Sequence, residues 1–290
     1  MLFQQIVNGI VVGSVYALTA MGATLVYGIM RILDISNAGA YAVGAYVAFF
    51  FLLQSGSPLV ALVAGVAFTA AFGFLVQKFL YAPLMNKSPN VSLIAGIGLF
   101  IFLQDFLRLV AGPQARELNF GALLPTLQFP SLQLTLYGSW FLILGATAVL
   151  LLVLWLLLNR SSIGLAWRAT AQDLETAKAM GINTNRVVAF NFILGYGFAA
   201  IAGILVGILY NSVYPMMGDV PAYKMLAVIV LGGLGNPLGT VLAALVIGMA
   251  ETLIGGYVGF FLPRDAIAFV VLILILLWRP QGLLGRRRAS

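Results

Sequence analysis

The stretch Asn159 to Ile182, NRSSIGLAWRATAQDLETAKAMGI, is the longest polar run in a chain that is otherwise nearly all apolar, and its reading decides the fold. Thr170 stands three residues before Asp173 in the spacing of a capping box, and Gly181 stands where a helix would stop in a left-handed turn. These signals predict a helix from about Ala171 to Met180, with Glu175 and Lys178 paired across one turn. Such a helix is roughly 15 Å long, and helices shorter than about twelve residues are marginal in water unless something packs on them. A helix lying in lipid headgroups would carry Trp, Phe or Leu along its apolar face, whereas this face is mostly alanine with Leu174 and Met180. Small residues suit a protein cleft, so a docking partner is expected.

Working outward, the remaining sequence supplies membrane spans. Of 290 residues 62% are hydrophobic and 8% charged, and the mean hydropathy of +1.07 is one that no water-soluble domain of this size tolerates on its surface. Apolar runs near the twenty residues a spanning helix needs recur between short polar breaks, and the period-two alternation of a membrane barrel is missing. The fold class is therefore an all-α polytopic membrane protein. Spans are read at Ile6 to Met30, Ala38 to Leu53, Leu59 to Leu80, Val91 to Val110 and Tyr137 to Leu158 before the polar stretch. Val187 to Tyr210, Leu238 to Gly256 and Ala266 to Trp278 follow it. Between the last three lies Pro221 to Leu231, about half the length a bilayer core requires, running into GGLGNPLG at Gly232 to Gly239. If the polar stretch and the arginines at 286, 287 and 288 share the cytoplasm, an even number of crossings separates them. The short segment then counts as a crossing, which makes about nine spans, one of them short and broken, with the N-terminus outside and the C-terminus inside.

Charge placement agrees with that arrangement. Arg31, Lys78, Lys87, Arg160, Arg168, Lys178, Arg186, Arg279 and the three tail arginines fall inside, against Arg108, Arg116, Lys224 and Arg264 outside, eleven to four. The net charge of +7 is thus a topology signal, scattered at the ends of apolar runs rather than massed on a face for nucleic acid. The N-terminal MLFQQIVNG has no basic n-region and its apolar run is too long for a cleaved leader, so that run is expected to stay in the membrane. Residues 1–290 are read as a single membrane domain, with residues 159–186 as a cytoplasmic loop and residues 111–136, carrying Pro113, Pro125 and Pro130, as the main external loop. Gly195, Ala199, Gly203 and Gly207, and the pairs Gly9 with Gly13 and Gly255 with Gly259, repeat a small-xxx-small pattern read as close helix packing within the chain. Tryptophans 140, 155, 167 and 278 sit near predicted span ends, as interfacial anchors do.

The chain has no cysteine and no histidine. Disulfides, thiolate nucleophiles, histidine bases and imidazole or thiolate metal sites are excluded, and neither an enzymatic role nor a metal centre is expected. GGLGNPLG lacks the preceding strand and following Lys-Ser or Lys-Thr of a phosphate loop. It reads instead as a broken helix, with Gly232, Gly233 and Gly235 at the break, of the kind that borders a transport path. In RILDISNAGAY, Arg31 to Tyr41, Ser36 or Asn37 would cap the next helix, or Asn37 and Tyr41 would face a central path. Glu251 lies within an apolar run, where a charge costs on the order of 3 kcal/mol, so it is expected to face other helices or water. Asp105 and Arg108, one turn apart, read as a local ion pair.

Gly164, Arg168, Ala169, Asp173, Ala177, Gly181 and Ile182 together reproduce G-x-x-x-R-A-x-x-x-D-x-x-x-A-x-x-x-G-I. This resembles the coupling loop of ABC importer permeases, and the resemblance is nearest to the branched-chain amino-acid (Liv-type) permeases. NGIVVGSVYAL, AMGATLVYGIMRIL, IGLFIFLQ, VLGGLGNPLGTVLAALVIGMAE and LLWRPQGLLGR look like that family too. The resemblance implies a permease subunit in a bacterial inner membrane whose loop docks on a cytoplasmic ATP-binding subunit. It also implies a second permease chain, the same or a sister, completing the path, and an extracytoplasmic solute-binding protein delivering substrate. The chain itself, with no Walker lysine motif, would bind no cofactor and leave ATP chemistry to its partner. One departure stands at Asp34 to Gly39, DISNAG, where the family usually carries an N-F-A-H-G-E-like segment; it bears on the cargo, since relatives handle amino acids, urea or short amides. A secondary transporter, which would need an intramembrane acid such as Glu251, is the alternative.

Overall fold

A computed structural model describes residues 2–85, 87–118, 127–129, 134–258 and 263–285. Its elements in order are α1 (Leu2–Met30), α2 (Ser36–Ser55), α3 (Pro58–Val76), α4 (Pro89–Ala111), a hairpin of β1 (Leu127–Phe129) and β2 (Leu134–Leu136), and α5 (Gly138–Arg160). There follow α6 (Ser162–Gln172), α7 (Leu174–Ala179), α8 (Thr184–Tyr210), α9 (Asp219–Gly232), α10 (Pro237–Val258) and α11 (Arg264–Trp278). Among the described residues seven helices are long and apolar enough to cross a membrane. The shorter α11 is apolar as well, and α9, of 14 residues, is the short segment that the hydropathy pattern counts as a crossing. Helix α3 runs on through a π-helical turn, Gln77–Tyr81, and a 3-10 turn, Ala82–Leu84.

The helices divide by how much of their surface the protein covers. Helix α1 lies between α8 and α10, and α2 lies between α3 and α8; both are buried on nearly every side through their middles. Helix α5, by contrast, exposes Val149, Leu152, Val153 and Leu156, an apolar face fit for lipid. Between membrane helices no hydrophobic effect drives association, so close van der Waals approach does the holding and small residues mark the contacts. A Cβ on Gly44 would lie 2.5 Å from both Cα and Cβ of Ala200, and one on Gly195 would lie 2.9 Å from the Gly22 carbonyl oxygen. Gly203 abuts the Tyr41 backbone, Gly207 meets Leu118 and Val213, and Gly13 is locked against Gly248. The glycine stripe is thus spent on packing inside the chain; Gly259 lies outside the described residues.

Helix α9 crosses only part of the way. Val213 pairs its backbone with Arg116, beyond the end of α4, yet Gly218 already lies against Ala38 and against Phe100 at the middle of α4, and the Gln104 amide, one turn further along that helix, bonds Asp219. Residues 211–218, including a 3-10 turn at Pro215–Gly218, therefore enter the bundle as irregular chain, and α9 starts within it. Its 14 residues span about 21 Å. The short segment thus joins a partial helix to non-helical backbone.

One end of the bundle gathers the polar connections. Arg31, Met85 and residues 170–175 line one cavity of about 400 Å³ there. A second, of about 850 Å³, is lined by Arg31, Arg168, Gln172, Gly235 and Gln281 among others. The α1–α2 and α3–α4 connections, α6–α7, the α9–α10 turn and the segment after α11 thus share an end.

Several local expectations are corrected. Neither Ser36 nor Asn37 caps α2; its cap position is Ile35, without a side-chain bond, because Ser36 turns back to Asp34. Asp105 and Arg108 form no ion pair; both are exposed, where such a pair is worth only about 0–1 kcal/mol. Lys224 sits in no external loop: it is buried between helices and drops out of the charge count. Trp140 is buried and Trp167 bonds the Asn191 side chain, so neither is a simple lipid anchor. The loop at 111–136 contains the β1–β2 hairpin, with Leu127 opposite Leu136; Pro125, Pro130 and the arginines at 286, 287 and 288 lie outside the described residues.

Candidate functional site

The polar stretch forms two helices where one is expected. Asp173 is extended (φ −151°, ψ 115°) and is itself the cap of α7: its carboxylate accepts the Glu175 and Thr176 amides at 2.9 and 3.1 Å and the Thr176 hydroxyl at 2.9 Å. Thr170, the expected cap, lies inside α6 and donates its hydroxyl to the Ala166 carbonyl. Capping by Asp173 outcompetes continuation because a carboxylate satisfies several orphan amides at once. Those bonds, the Thr176 amide foremost, hold the Asp173 carboxyl below its ordinary 3.8. Upstream, Ser161 caps α6 through the Gly164 amide, a signal the sequence reading passes over. No ion pair joins Glu175 to Lys178; both point outward from a six-residue helix.

The C-terminal stop is where the glycine places it. Gly181 has φ +83°, its amide bonds the Lys178 carbonyl and the Ile182 amide bonds Ala177, each at 3.1 Å. This is the paired 5→2 and 6→1 pattern of a Schellman stop. Ala177 is buried and Leu174 and Ile182 pack against the bundle, so the chain's own helices support α7. Shortness alone does not demand an outside partner. The outward face, with Gln172, Asp173, Glu175, Lys178 and Met180, is what remains exposed.

Helix α6 is tied into the bundle. Arg168 donates to the Leu158 carbonyl, and Gly164 permits the crossing, since a Cβ there would clash with the Leu157 and Leu158 carbonyl oxygens. Ala169 accepts the Asp173 amide on its carbonyl. The Trp167 indole donates to Asn191 at 3.0 Å, and Asn191 donates in turn to the Leu25 carbonyl at 2.5 Å. The Trp167 ring covers Gly28, whose other neighbour is Gly235.

Gly232, Gly233 and Gly235 form the turn between α9 and α10. Gly233 and Gly235, at φ +99° and +77°, adopt the left-handed side that L side chains avoid. The segment after α11 closes over this turn: the Leu283 and Leu284 amides bond the Leu231 and Gly232 carbonyls at 2.7 and 3.3 Å, and the Asn236 amide bonds the Leu284 carbonyl. Carbonyls freed by the broken helix are thereby satisfied within protein. The sequence reading finds both stretches but does not join them.

Two buried polar clusters complete the inventory. Asn37 and Tyr41 are enclosed between α1, α2 and α8 and line none of the described cavities; Asn37 keeps both amide atoms without a partner. Beside them Asp34, fully buried, accepts Tyr81 at 2.7 Å and Ser36, which also meets Tyr196 at 2.7 Å. Glu251, in contrast, has partners from distant sequence. Lys224 Nζ lies 2.9 Å from each carboxylate oxygen, and the Tyr16 hydroxyl donates to the same group at 2.8 Å. Lys224 reaches Asp265 at 3.0 Å as well. Among the described residues no group of potential ligands could hold a metal ion.

Among the described residues, seven long apolar helices wound around glycine contacts, a partial helix with its break sealed by protein and a capped two-helix excursion at one end define a multi-pass permease-type membrane protein. The chain matches, over residues 5–277, the family described as the permease component of branched-chain amino acid transport systems, and it belongs to that family. It is 34% identical to the Escherichia coli high-affinity branched-chain amino acid transport system permease protein LivH, over 98% of this chain and 95% of that one. To BraD of Pseudomonas aeruginosa, a permease protein of the same description, it is 36% identical with the same coverage. It is also 26% identical to Escherichia coli LivM, over 94% of this chain and 68% of that protein. A solved inward-facing structure described as a metal-chelate type ABC transporter aligns over 94% of this chain and 85% of that one, at a TM-score of 0.48 and 17% identity.

Proposed function

We propose that this permease moves branched-chain amino acids inward across a bacterial inner membrane, powered by a separate ATP-binding subunit that grips α6–α7. The observation that carries the reading is the α6–α7 excursion: Asp173 and Gly181 lock its two ends while the outward face stays uncovered. Membership in a family of transport-system permeases supports it, as do LivH and BraD, whose names specify branched-chain amino acids. Gly164, Arg168, Ala169, Asp173, Ala177, Gly181 and Ile182 are the coupling residues in this scheme. Arg168 and Gly164 fix α6 to α5, while Asp173, Ala177, Gly181 and Ile182 shape α7.

With α6–α7 inside, the excess of arginine and lysine in the loops on that side favours a cytoplasmic C-terminus and an N-terminus outside. Likeness to both LivH and LivM of one organism favours a path built with a second permease chain of sister type. A solute-binding protein delivers the cargo from outside, and no cofactor is held by this chain. Purification from native membrane tests the core of the proposal: an ATP-binding subunit is expected to accompany the chain, and leucine uptake is expected to stop when ATP is depleted. Uptake that persists on an intact ion gradient without ATP would return the assignment to a secondary transporter.

A further inference from the structure

The Lys224 cluster is held by four helices at a depth where charge is costly. Tyr16 marks that depth: it is the midpoint of α1, and its hydroxyl contacts both Lys224, at 2.7 Å, and Glu251, at 2.8 Å. Lys224 Nζ also lies 4.8 Å from the Tyr16 ring centre. Lys224 and Glu251 are almost fully enclosed, but the Asp265 side chain is 49% exposed. Asp265 stands thirteen residues, about 20 Å of helix, from Trp278, which ends α11 beside Arg279. With Trp278 at one membrane interface, Asp265 falls short of the other side of a core about 30 Å thick.

A carboxylate half open at that depth cannot face hydrocarbon, because charged groups within spans turn to a bundle interior or to water. Tyr223, stacked on Phe269 of α11, and Val220, one turn earlier and 38% exposed, extend the face along α9.

We propose that Asp265, with Lys224 behind it, is a charge-recognition station on the wall of the translocation path, built for a zwitterionic amino acid. The solute's ammonium group takes Asp265 while Lys224, still paired with Glu251, turns to the solute's carboxylate. One ion pair is exchanged for two, and no charge is left bare during passage. An uncharged solute such as urea offers neither partner, so the station deepens the amino-acid reading and rests on it.

The test uses the full transporter with its ATP-binding subunits and binding protein in proteoliposomes. The chain has no cysteine, so Val220→Cys and Leu274→Cys each introduce a single thiol into it. Leu274 is 58% exposed and, nine residues after Asp265, lies on the opposite side of α11. A membrane-impermeant quaternary-ammonium methanethiosulfonate, read by the mass shift of this chain, is expected to modify V220C roughly tenfold or more faster than L274C, since the reactive thiolate needs water. Equal rates would overturn the aqueous wall. In parallel, Asp265→Asn is expected to raise KM for leucine roughly 10- to 100-fold, the loss of a charged hydrogen bond, with Asp265→Glu recovering most of it. An unchanged KM in D265N, or an Asp265→Glu variant no better than it, would overturn the recognition role. A wild-type transporter that takes up no leucine would overturn the substrate assignment instead, and the labelling comparison would still decide the wall.

Discussion

Gly181 offers a graded test of the α7 lever. Its φ of +83° is a conformation that costs an L side chain about 1–2 kcal/mol, and no atom lies within 4 Å of where a Cβ would sit, so backbone conformation is the whole penalty. Asparagine tolerates that region and should cost a few tenths of a kcal/mol. Alanine should cost about 1 kcal/mol, and proline roughly 3 or more, because its ring forbids the positive φ and it has no amide for the Lys178 carbonyl. Because the lost energy comes from the shaped form of α7 that the partner grips, it appears as weakened affinity for the ATP-binding subunit. At about 1.4 kcal/mol per tenfold, alanine weakens binding roughly fivefold and proline more than a hundredfold. The assay is an affinity titration of the ATP-binding subunit onto the purified permease, paired with the ratio of leucine transported to ATP hydrolysed in proteoliposomes. The reasoning fails if the proline variant binds and couples within twofold of wild type, or if asparagine is as damaging as proline.

Three further outcomes follow from the packing and capping. Gly44→Val should lower thermal stability in detergent by about 1–3 kcal/mol, since its Cβ meets Ala200 at 2.5 Å, whereas Gly98→Val, with open space around it, should be neutral; fluorescence-detected size exclusion after heating separates them. Ending the chain at Trp278 strips the partners from the Leu231 and Gly232 carbonyls, about 1–3 kcal/mol each, and should speed hydrogen exchange in the last turn of α9 while leaving α3 unaffected. The Asp173 cap should be pH-independent across the physiological range. A carboxyl held below its ordinary 3.8 contributes stability that is complete above that value and is lost only as pH falls through the lowered one. Protection of the Glu175 and Thr176 amides is therefore expected to stay level from pH 8 to about pH 5; a decline near pH 6 would contradict the cap.

Span positions were legible because they depend on local composition: the predicted ends at Met30, Tyr210 and Trp278 coincide with the ends of α1, α8 and α11. Gly181 was legible for a related reason, since a left-handed stop needs only its own residue. Capping by Asp173 was misread because Thr170 and Asp173 are both competent caps three residues apart, and the winner depends on which amides each reaches in space. Lys224 was misplaced because hydropathy treats a lysine near a short segment as a loop charge, while its partners Tyr16 and Glu251 come from α1 and α10. The Asp34 cluster escaped for the same reason: Ser36 and Tyr196 lie 160 positions apart in sequence. Long-range pairs leave no periodicity to read.

The Trp167 contact has a mechanical corollary. Its ring presses on bare backbone at Gly28, Gly28 leans on Gly235, and its indole is pinned through Asn191 to Leu25. Main chain meets main chain at Gly28 and Gly235, with no pliant side chain between them, so under the proposed coupling a shove delivered to α6 is expected to reach α1, α8 and the α9–α10 bend as one block. Compliance must then reside at the block's borders, where Arg31 holds a positive φ of 55° and α3 loosens into its π turn at Gln77–Tyr81.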